Sequence, residues 1–350
     1  MSEAEILERI QDLTDPEIGR TLGELNMLKG ARVEGDSLVV EVALPTPAYP
    51  QRERISQAIK ERLAGDKPVT VSFSHAVRGR EMGGSIGLRV KNVIAVGSGK
   101  GGVGKSSIAA SLAYGLQKAG AAVGLLDADV YGPSIPHMFG VSGQPQVVEQ
   151  ETVQGQRYAR MVPHEVDGLK ISSMGFLVPA EQAVIWRGPM LQKALVQLLR
   201  DTQWGELDYL IVDLPPGTGD VPLSLSQMLG LAGAVVVCTP QQVALLDAVR
   251  AVAMFRQLKI PVLGMVENMS GEIFGRGGAK AKAEEMGVPF LGEVPCNAEV
   301  RIKGDDGQIP ALFAEESPVR EPLQHVCEAT AMGIARDLLE TPSMPTLEIL

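Results

Sequence analysis

Residues 93–107 read VIAVGSGKGGVGKSS, and this stretch decides the predicted fold of most of the chain. Its first four residues form an apolar, largely β-branched run typical of a buried strand. From Gly99 the chain matches the phosphate-binding pattern G-x-x-x-x-G-K-S, and the apolar residues Ile108, Leu112 and Leu116 then follow at helical spacing. A strand, a glycine-rich loop and a helix in this order predict a nucleotide-phosphate site. The alternative interpretation is a glycine-rich turn that matches the pattern by chance.

The loop supplies the groups that phosphate binding needs. Glycines allow the backbone N–H groups to approach a phosphate chain closely, and the helix N-terminus adds positive potential. Lys105 is expected to reach the terminal phosphates, while the Ser106 hydroxyl holds a magnesium ion. The predicted nucleotide-binding residues of the loop are Gly99, Lys100, Gly101, Gly102, Val103, Gly104, Lys105, Ser106 and Ser107.

Two later apolar strands run into carboxylates. Val123–Leu126 is followed by the acidic pair of DAD at residues 127–129, and Tyr209–Val212 by Asp213 and the rest of DLPPGTGD. Because the carboxyl ends of parallel strands open into the ligand crevice, these side chains are predicted to face the nucleotide. We predict that Asp213 holds magnesium together with Ser106, usually through water. The alternative for the pair at 127–129 is simple capping of the next segment.

Alternation of strands and helices continues towards the end of the chain. Strands are predicted at Ala234–Cys238, Val262–Val266 and Phe290–Val294, with helices at Val243–Leu258 and Pro318–Leu339. The alternation predicts an α/β fold, a mostly parallel sheet with helices on both faces.

Length and composition predict the domain organisation and exclude some functions. At about 150 residues per domain, 350 residues predict two domains. Residues 1–77 are predicted to form a small α+β domain, residues 78–91 a linker, and residues 92–350 the P-loop domain. The formal net charge of −10 argues against a surface that coats nucleic acid. Three scattered cysteines suit a reducing cytoplasm, and no apolar run is long enough to span a membrane.

Several motifs together resemble a known family. Lys100 gives the loop the form KGGVGKS, which resembles the deviant P-loop of ATPases such as MinD and ParA. The motifs KGGVGKS, DADVYGPS, AVIWRGPM, DLPPGTGD, VENMS and IFGRGGA occur in the order seen in Mrp/ApbC-type iron–sulfur cluster carrier ATPases. The resemblance implies a slow, magnesium-dependent ATPase that forms a homodimer and carries a [4Fe–4S] cluster to apoprotein clients.

The resemblance also implies roles for individual residues. Lys100 would cross the dimer interface to the phosphates of the partner, although a solvated loop lysine is the alternative. Asp129 would position the attacking water, and Asn268 would read the adenine with its amide donor and acceptor. The predicted catalytic residues are therefore Lys100, Lys105 and Asp129. Arg187 within AVIWRGPM is expected to contact phosphate or a partner, or else to form a structural ion pair.

Both usual thiol sites of this family are missing. The N-terminal domain resembles the small domain of iron–sulfur assembly proteins through DPE at residues 15–17 and TPAYP at residues 46–50, but Tyr49 stands where cysteine is common. We interpret Asp15 and Glu17 as a capping turn. A CxxC usually separates VENMS from FGxGG, whereas here residues 269–274 join them directly. The iron–sulfur ligands are thus unknown, and no stable cluster of the usual subunit-bridging kind is expected.

Two other functions remain open at this point. One is a nucleotide-gated scaffold whose ATP state controls partner binding, and the other is a ParA- or MinD-like positioning ATPase. The C-terminal sequence TPSMPTLEIL is broken by proline and lacks basic residues, so it does not resemble a membrane-binding helix. We therefore expect neither a membrane nor a nucleic acid as partner.

Overall fold

The computed structural model describes residues 2–65, 67–79, 88–151, 157–177, 188–217 and 219–340. Arg187 and most of the predicted linker lie outside these ranges. The chain divides into two compact units, one made of the residues up to Arg78 with the chain from Ala331 onward, the other of Gly79–Thr330. The predicted domain boundaries stay a prediction, and this division differs from them in assigning the last part of the chain to the small unit.

The small unit contains a three-stranded sheet in the order β1-β2-β3. Its elements up to Arg78 are α1 (Glu3–Ile10), β1 (Leu28–Glu34), β2 (Ser37–Leu44), α2 (Arg52–Arg62) and β3 (Val69–His75). Strand β2 pairs antiparallel with β1 and parallel with β3. The alternating residues of β2 and the helical repeat of α1 bury one core, as their spacing predicts. Strand β1, which is rich in charged residues, was not predicted.

The large unit begins with the strand predicted from the phosphate-loop sequence. Its first elements are β4 (Val90–Gly97), α3 (Lys105–Lys118), β5 (Val123–Asp127), α4 (Ile135–Met138), β6 (Val147–Glu151), β7 (Arg157–Met161), β8 (His164–Val166) and β9 (Leu169–Ser173). The remaining elements are α5 (Gly188–Asp201), β10 (Leu207–Asp213), α6 (Asp220–Met228), β11 (Leu231–Cys238), α7 (Gln242–Gln257), β12 (Val262–Ser270), α8 (Gly278–Met286), β13 (Phe290–Pro295), α9 (Ala298–Asp305) and α10 (Arg320–Glu340). Helix α10 contains the point at which the two units divide.

An eight-stranded sheet organises the large unit, in the order β13-β12-β11-β4-β10-β5-β9-β8. All neighbouring strands are parallel except β8 and β9. The predicted mostly parallel α/β fold is therefore confirmed, and each strand predicted in this unit is present. The antiparallel edge strand β8 was not predicted because it has only three residues, and the hairpin of β6 and β7 was not predicted because its residues are mostly exposed.

The register of the central strands determines where the site lies. Asp213 at the end of β10 is paired with Val96 of β4 on one side and Asp127 of β5 on the other. The carboxyl ends of these strands thus meet at one edge of the sheet, beside the glycine-rich loop. Within the described ranges, no helix combines the length and apolar character needed to cross a bilayer.

Candidate nucleotide-binding site

The glycine-rich loop joins β4 to α3, and helix α3 begins at Lys105. Gly104 caps the helix with a φ of 78°, a left-handed conformation that favours glycine. A methyl group at this position would also collide with the side-chain amide of Asn268. That amide donates to the carbonyl oxygen of Val103 at 2.9 Å, so the predicted adenine-reading residue lies against the loop in the fold.

Lys105 connects the two predicted magnesium ligands. Its ammonium lies 2.5 Å from Asp213 Oδ1 and donates to Ser106 Oγ at 3.1 Å. Lys105 and Asp213 are both buried, with side-chain exposures of 6% and 0%. Lys105 and Asp213, which are 108 positions apart in the chain, thus meet in the fold, and Ser106 contacts the same ammonium group. The sequence predicted Lys105 at the phosphates and did not predict this ion pair.

The carboxylate of Asp213 is fully buried, which disfavours its charged form unless a cation lies nearby. Burial raises its pKa, and the nearby Lys105 ammonium opposes that shift. Its second oxygen, Oδ2, is buried without a hydrogen-bond partner. Because a buried carboxylate oxygen is costly to leave unpaired, this atom is suited to a cation or a cation-bound water.

A second buried carboxylate lies in the neighbouring strand. Burial, together with the charge of Asp213, raises the pKa of Asp127 to about 7. Asp129, two residues further, accepts from the backbone N–H groups of Tyr131 and Gly132 at 3.0 and 3.2 Å. The two acidic strand ends lie side by side, because Asp213 is paired in register with Asp127.

Lys100 is partly buried near the middle of the loop. Its carbonyl oxygen accepts from Ser98 Oγ at 2.9 Å, and the carbonyl oxygen of Ser98 accepts from the N–H of Gly217 at 2.9 Å. Ser98 therefore joins the glycine-rich loop to the loop that follows β10. Both connections were absent from the sequence predictions, because a serine before the phosphate pattern gives no signal of its own.

The structure brings together the loop 99–107, Asn268, Asp129 and Asp213, while their chemical roles stay predictions. Sequence reasoning placed Asp127 in the crevice, with capping of the next segment as the alternative, and gave it no catalytic or metal-binding role. Ser173, which lies at the end of β9, was given no role. A polar residue that ends an apolar run was the available signal at Ser173.

The three cysteines lie in different environments. Cys238 and Cys327 are buried, and Cys296 is exposed. Burial, with a smaller effect of the Glu267 charge, raises the pKa of Cys238 to about 12. Burial likewise raises the pKa of Cys327, whose thiol contacts the carbonyl oxygen of Ser111 at 3.7 Å. In the part of the chain that the structure covers, no group of three or more His, Cys, Asp or Glu side chains is placed to hold a metal ion.

A parallel sheet with a G-K-S loop at its carboxyl edge and an acidic strand end beside it defines a P-loop nucleotide-binding protein. The family model described as NUBPL iron-transfer P-loop NTPase matches residues 89–331, and the model of the iron–sulfur cluster assembly protein matches residues 3–73. The chain belongs to this family of iron-transfer P-loop NTPases. The resemblance to iron–sulfur cluster carriers that the motifs predict is confirmed.

Individual relatives agree with this assignment. An iron–sulfur cluster carrier protein of Deinococcus radiodurans is 46% identical, over 98% of this chain and 99% of that protein. An iron–sulfur cluster carrier protein of Haemophilus influenzae is 41% identical, over 93% of this chain and 90% of that protein. A solved nucleotide-binding protein of Archaeoglobus fulgidus, in complex with ADP, is 35% identical with a TM-score of 0.54, over 66% of this chain and 93% of that one. The MinD ATPase of Pyrococcus furiosus shares the fold, with a TM-score of 0.50, 19% identity and coverage of 68% and 97%.

Proposed function

We propose that this protein binds and hydrolyses Mg-ATP as a homodimer and acts in the assembly of iron–sulfur clusters and their transfer to apoproteins. The observation that carries the nucleotide part is the buried contact of Lys105 with Asp213 and Ser106 at the end of the glycine-rich loop. The assembly part is supported by family membership and by the names of the relatives. A cytoplasmic location agrees with the scattered cysteines and stays a prediction.

Magnesium fits the oxygen atoms at this edge of the sheet. Ser106 Oγ and Asp213 Oδ1 both contact one ammonium group, and Asp213 Oδ2 lacks a partner. We propose that Lys105 would contact the phosphates of a bound nucleotide and that Ser106 and Asp213 would hold the magnesium ion. Magnesium would supply charge neutralisation of the phosphates. Asp129 would orient the attacking water, and Asn268 would contact the base.

Homodimer formation is supported by exposed apolar side chains at the same edge of the sheet. These side chains lie on the segments that follow β5, β10, β11 and β12: Tyr131, Leu223, Val243, Leu246 and Ile273. Tyr131 and Ile273 are each 80% exposed, which is unfavourable for large apolar groups unless a partner covers them. A two-fold dimer would bury the same surface of both subunits and bring Lys100 of each towards the nucleotide of the other.

The nucleotide site is tested with substitutions in α3. Lys105→Ala removes a charge-assisted phosphate contact, so we expect ATP affinity to fall by about 10-fold to 100-fold in calorimetry. Lys118→Ala is the matched control, because Lys118 lies at the other end of α3 and donates to the carbonyl of Phe313. Since Lys105→Ala leaves Asp213 buried without its cation, Lys105→Arg, which retains the charge, controls for folding. Unchanged ATP affinity in folded Lys105→Ala protein would contradict the assignment.

The trans role of Lys100 is tested in the same series. Lys100→Ala should bind ATP normally and lose most hydrolysis, because a cation supplied across an interface can be worth about 10³–10⁵ in rate. Mixing Lys100→Ala with Asp129→Ala subunits should restore one working site in each mixed dimer. Subunit exchange without any recovery of hydrolysis would exclude action in trans.

A nucleotide-gated scaffold without a cluster is the second candidate function. The burial of Cys238 and Cys327 favours it, because each subunit then offers a single exposed thiol to an iron–sulfur cargo. Iron and acid-labile sulfide are to be measured on protein purified without exposure to air. Several irons per dimer would support direct carriage, and their absence would support the scaffold.

A further inference from the structure

Three neighbouring strands end on polar side chains in register. Asp213 of β10 is paired with Asp127 of β5, and Asp127 is paired with Ser173 of β9. All three side chains are fully buried. Asp127 therefore lies between the candidate magnesium ligand and a hydroxyl group, at the edge of the sheet where the nucleotide is proposed to bind.

Both oxygens of Asp127 accept hydrogen bonds, and two of the donors are backbone N–H groups. Oδ1 accepts from the N–H of Asp129 at 3.1 Å, while Oδ2 accepts from the N–H of Ile135 at 3.2 Å and from Ser173 Oγ at 3.1 Å. Ser173 is itself fixed, because its Oγ accepts from the N–H of Gly175 at 2.9 Å. One carboxylate thus binds the beginning and the end of the segment between β5 and α4.

That segment carries Asp129 with its backbone partners Tyr131 and Gly132. Tyr131 is 80% exposed, so its side chain adds little that would fix the segment. The segment is attached to the sheet by the N–H of Ala128, which donates to the carbonyl oxygen of Asp213 at 2.9 Å, and by the Asp127 carboxylate, which accepts from the N–H groups of Asp129 and Ile135. We propose that Asp127 is a positioning residue for Asp129, holding the segment 129–135 in the conformation that places the Asp129 carboxylate towards the reacting water. The proposal depends on the role given to Asp129 in the proposed function.

The chemistry of the donors explains why a carboxylate stands here. Asparagine has nearly the same shape but only one acceptor oxygen, so its NH₂ group would face one of the two backbone N–H donors. The two N–H groups and the hydroxyl approach different oxygens of the side chain, so both oxygens must accept hydrogen bonds. A carboxylate can do this. A carboxyl group stands here although burial and the charge of Asp213 raise its pKa to about 7, an arrangement that is costly without a function.

The test is a double-mutant cycle of Asp127→Asn and Asp129→Ala, measured as single-turnover ATP hydrolysis. A displacement of about 1 Å can cost about 100-fold in rate, so Asp127→Asn should lower kcat by about 10-fold to 100-fold. KM for ATP should change little, because the glycine-rich loop is intact. In the Asp129→Ala background, Asp127→Asn should cause no further loss, because it acts through Asp129.

Hydrogen exchange gives a second readout that is independent of hydrolysis. The amides of Asp129 and Ile135 should exchange faster in Asp127→Asn, while amides of the glycine-rich loop keep their rates. Ser173→Ala removes one donor and leaves both backbone bonds, so a smaller loss of kcat is expected. This milder variant keeps the test decisive if Asp127→Asn does not fold.

Two results would overturn the inference. One is that Asp127→Asn lowers the rate of ATP hydrolysis by the same factor in the unmodified protein and in Asp129→Ala, which would show that Asp127 acts independently of Asp129. The other is full activity and unchanged exchange in Asp127→Asn or, where that variant does not fold, in Ser173→Ala. By contrast, full activity of Asp129→Ala, or no hydrolysis by the unmodified protein, would contradict the proposed function itself.

Discussion

Tyr49 and its neighbours illustrate what single residues decide. The Tyr49 hydroxyl donates to Asp15 Oδ2 at 2.7 Å, and Asp15 Oδ1 accepts from the N–H groups of Glu17 and Ile18 at 2.9 and 2.8 Å. Burial, reinforced by Asp15, raises the pKa of Tyr49, so its hydroxyl stays protonated and remains a donor. A turn at Asp15 is present as predicted, but no helix follows it within residues 11–27, so it does not cap one. At position 49, where the resemblance implied a cysteine, this chain has a buried tyrosine whose hydrogen bond fixes the turn.

The cysteines give a prediction at the same scale. At pH 8 a disulfide reagent should label one thiol per native chain rapidly, because Cys296 is exposed whereas the buried Cys238 and Cys327 have raised pKa values and stay protonated. In denatured protein all three thiols should react with the reagent. Cys296→Ser should abolish the fast labelling, and two or more fast thiols in the native chain would contradict the burial.

Helix α3 shows how an element links the loop to the rest of the large unit. Its residues from Ile108 to Leu116 are all buried. Near its end, Gly115 lies against Cys327 of α10 and the ring of Phe313. The phosphate-binding loop therefore leads into a helix whose central residues are packed on all sides. This packing limits how far the N-terminus of α3 can move.

A matched pair of helical glycines tests this packing. An added Cβ at Gly115 would lie 2.5 Å from Cys327 Sγ and 2.8 Å from the Phe313 ring, whereas at Gly333 of α10 it would meet nothing within 4 Å. We expect Gly115→Ala to lower the free energy of unfolding by about 1–3 kcal/mol through overpacking. Gly333→Ala should raise it by about 0.5–1 kcal/mol, because alanine favours helix. Chemical denaturation measures both, and a stabilised Gly115→Ala variant would contradict the packing.

At the scale of the whole molecule, the nucleotide machinery and the usual cluster machinery are separable. The glycine-rich loop and its carboxylates are complete, yet the turn after β12 closes directly through the paired N–H and carbonyl groups of Gly271 and Gly275. Residues 271–277, between β12 and α8, contain no cysteine, and the absence of the usual cluster ligands stays a prediction.

The corresponding prediction concerns anaerobic reconstitution with iron and sulfide. A cluster shared by two subunits needs about four soft ligands, normally thiolates, and one exposed cysteine per subunit supplies two. Gel filtration should therefore yield a dimer that does not retain about four irons, while ATP binding is preserved. A dimer that holds about four irons and loses them on Cys296→Ser substitution would prove this expectation wrong.

The sequence by itself determined the class of fold, the phosphate loop and the family. These features are local: Val93–Val96, the glycines that follow and the helical repeat after Lys105 are contiguous, so their steric and hydrogen-bonding preferences act without knowledge of the rest of the chain. Strand β1, with one buried residue in seven, and the three-residue strand β8 escaped prediction because burial, the source of the periodic signal, is weak in them.

Only the tertiary structure decided which distant residues meet. The pairing of Lys105 with Asp213, and the row of Asp213, Asp127 and Ser173, depend on strand order and register. Register is set by how whole strands bury their faces against neighbours, so no local stretch encodes it. The same holds for the cysteines, whose identity was visible in the sequence but whose reactivity follows from the burial that packing imposes.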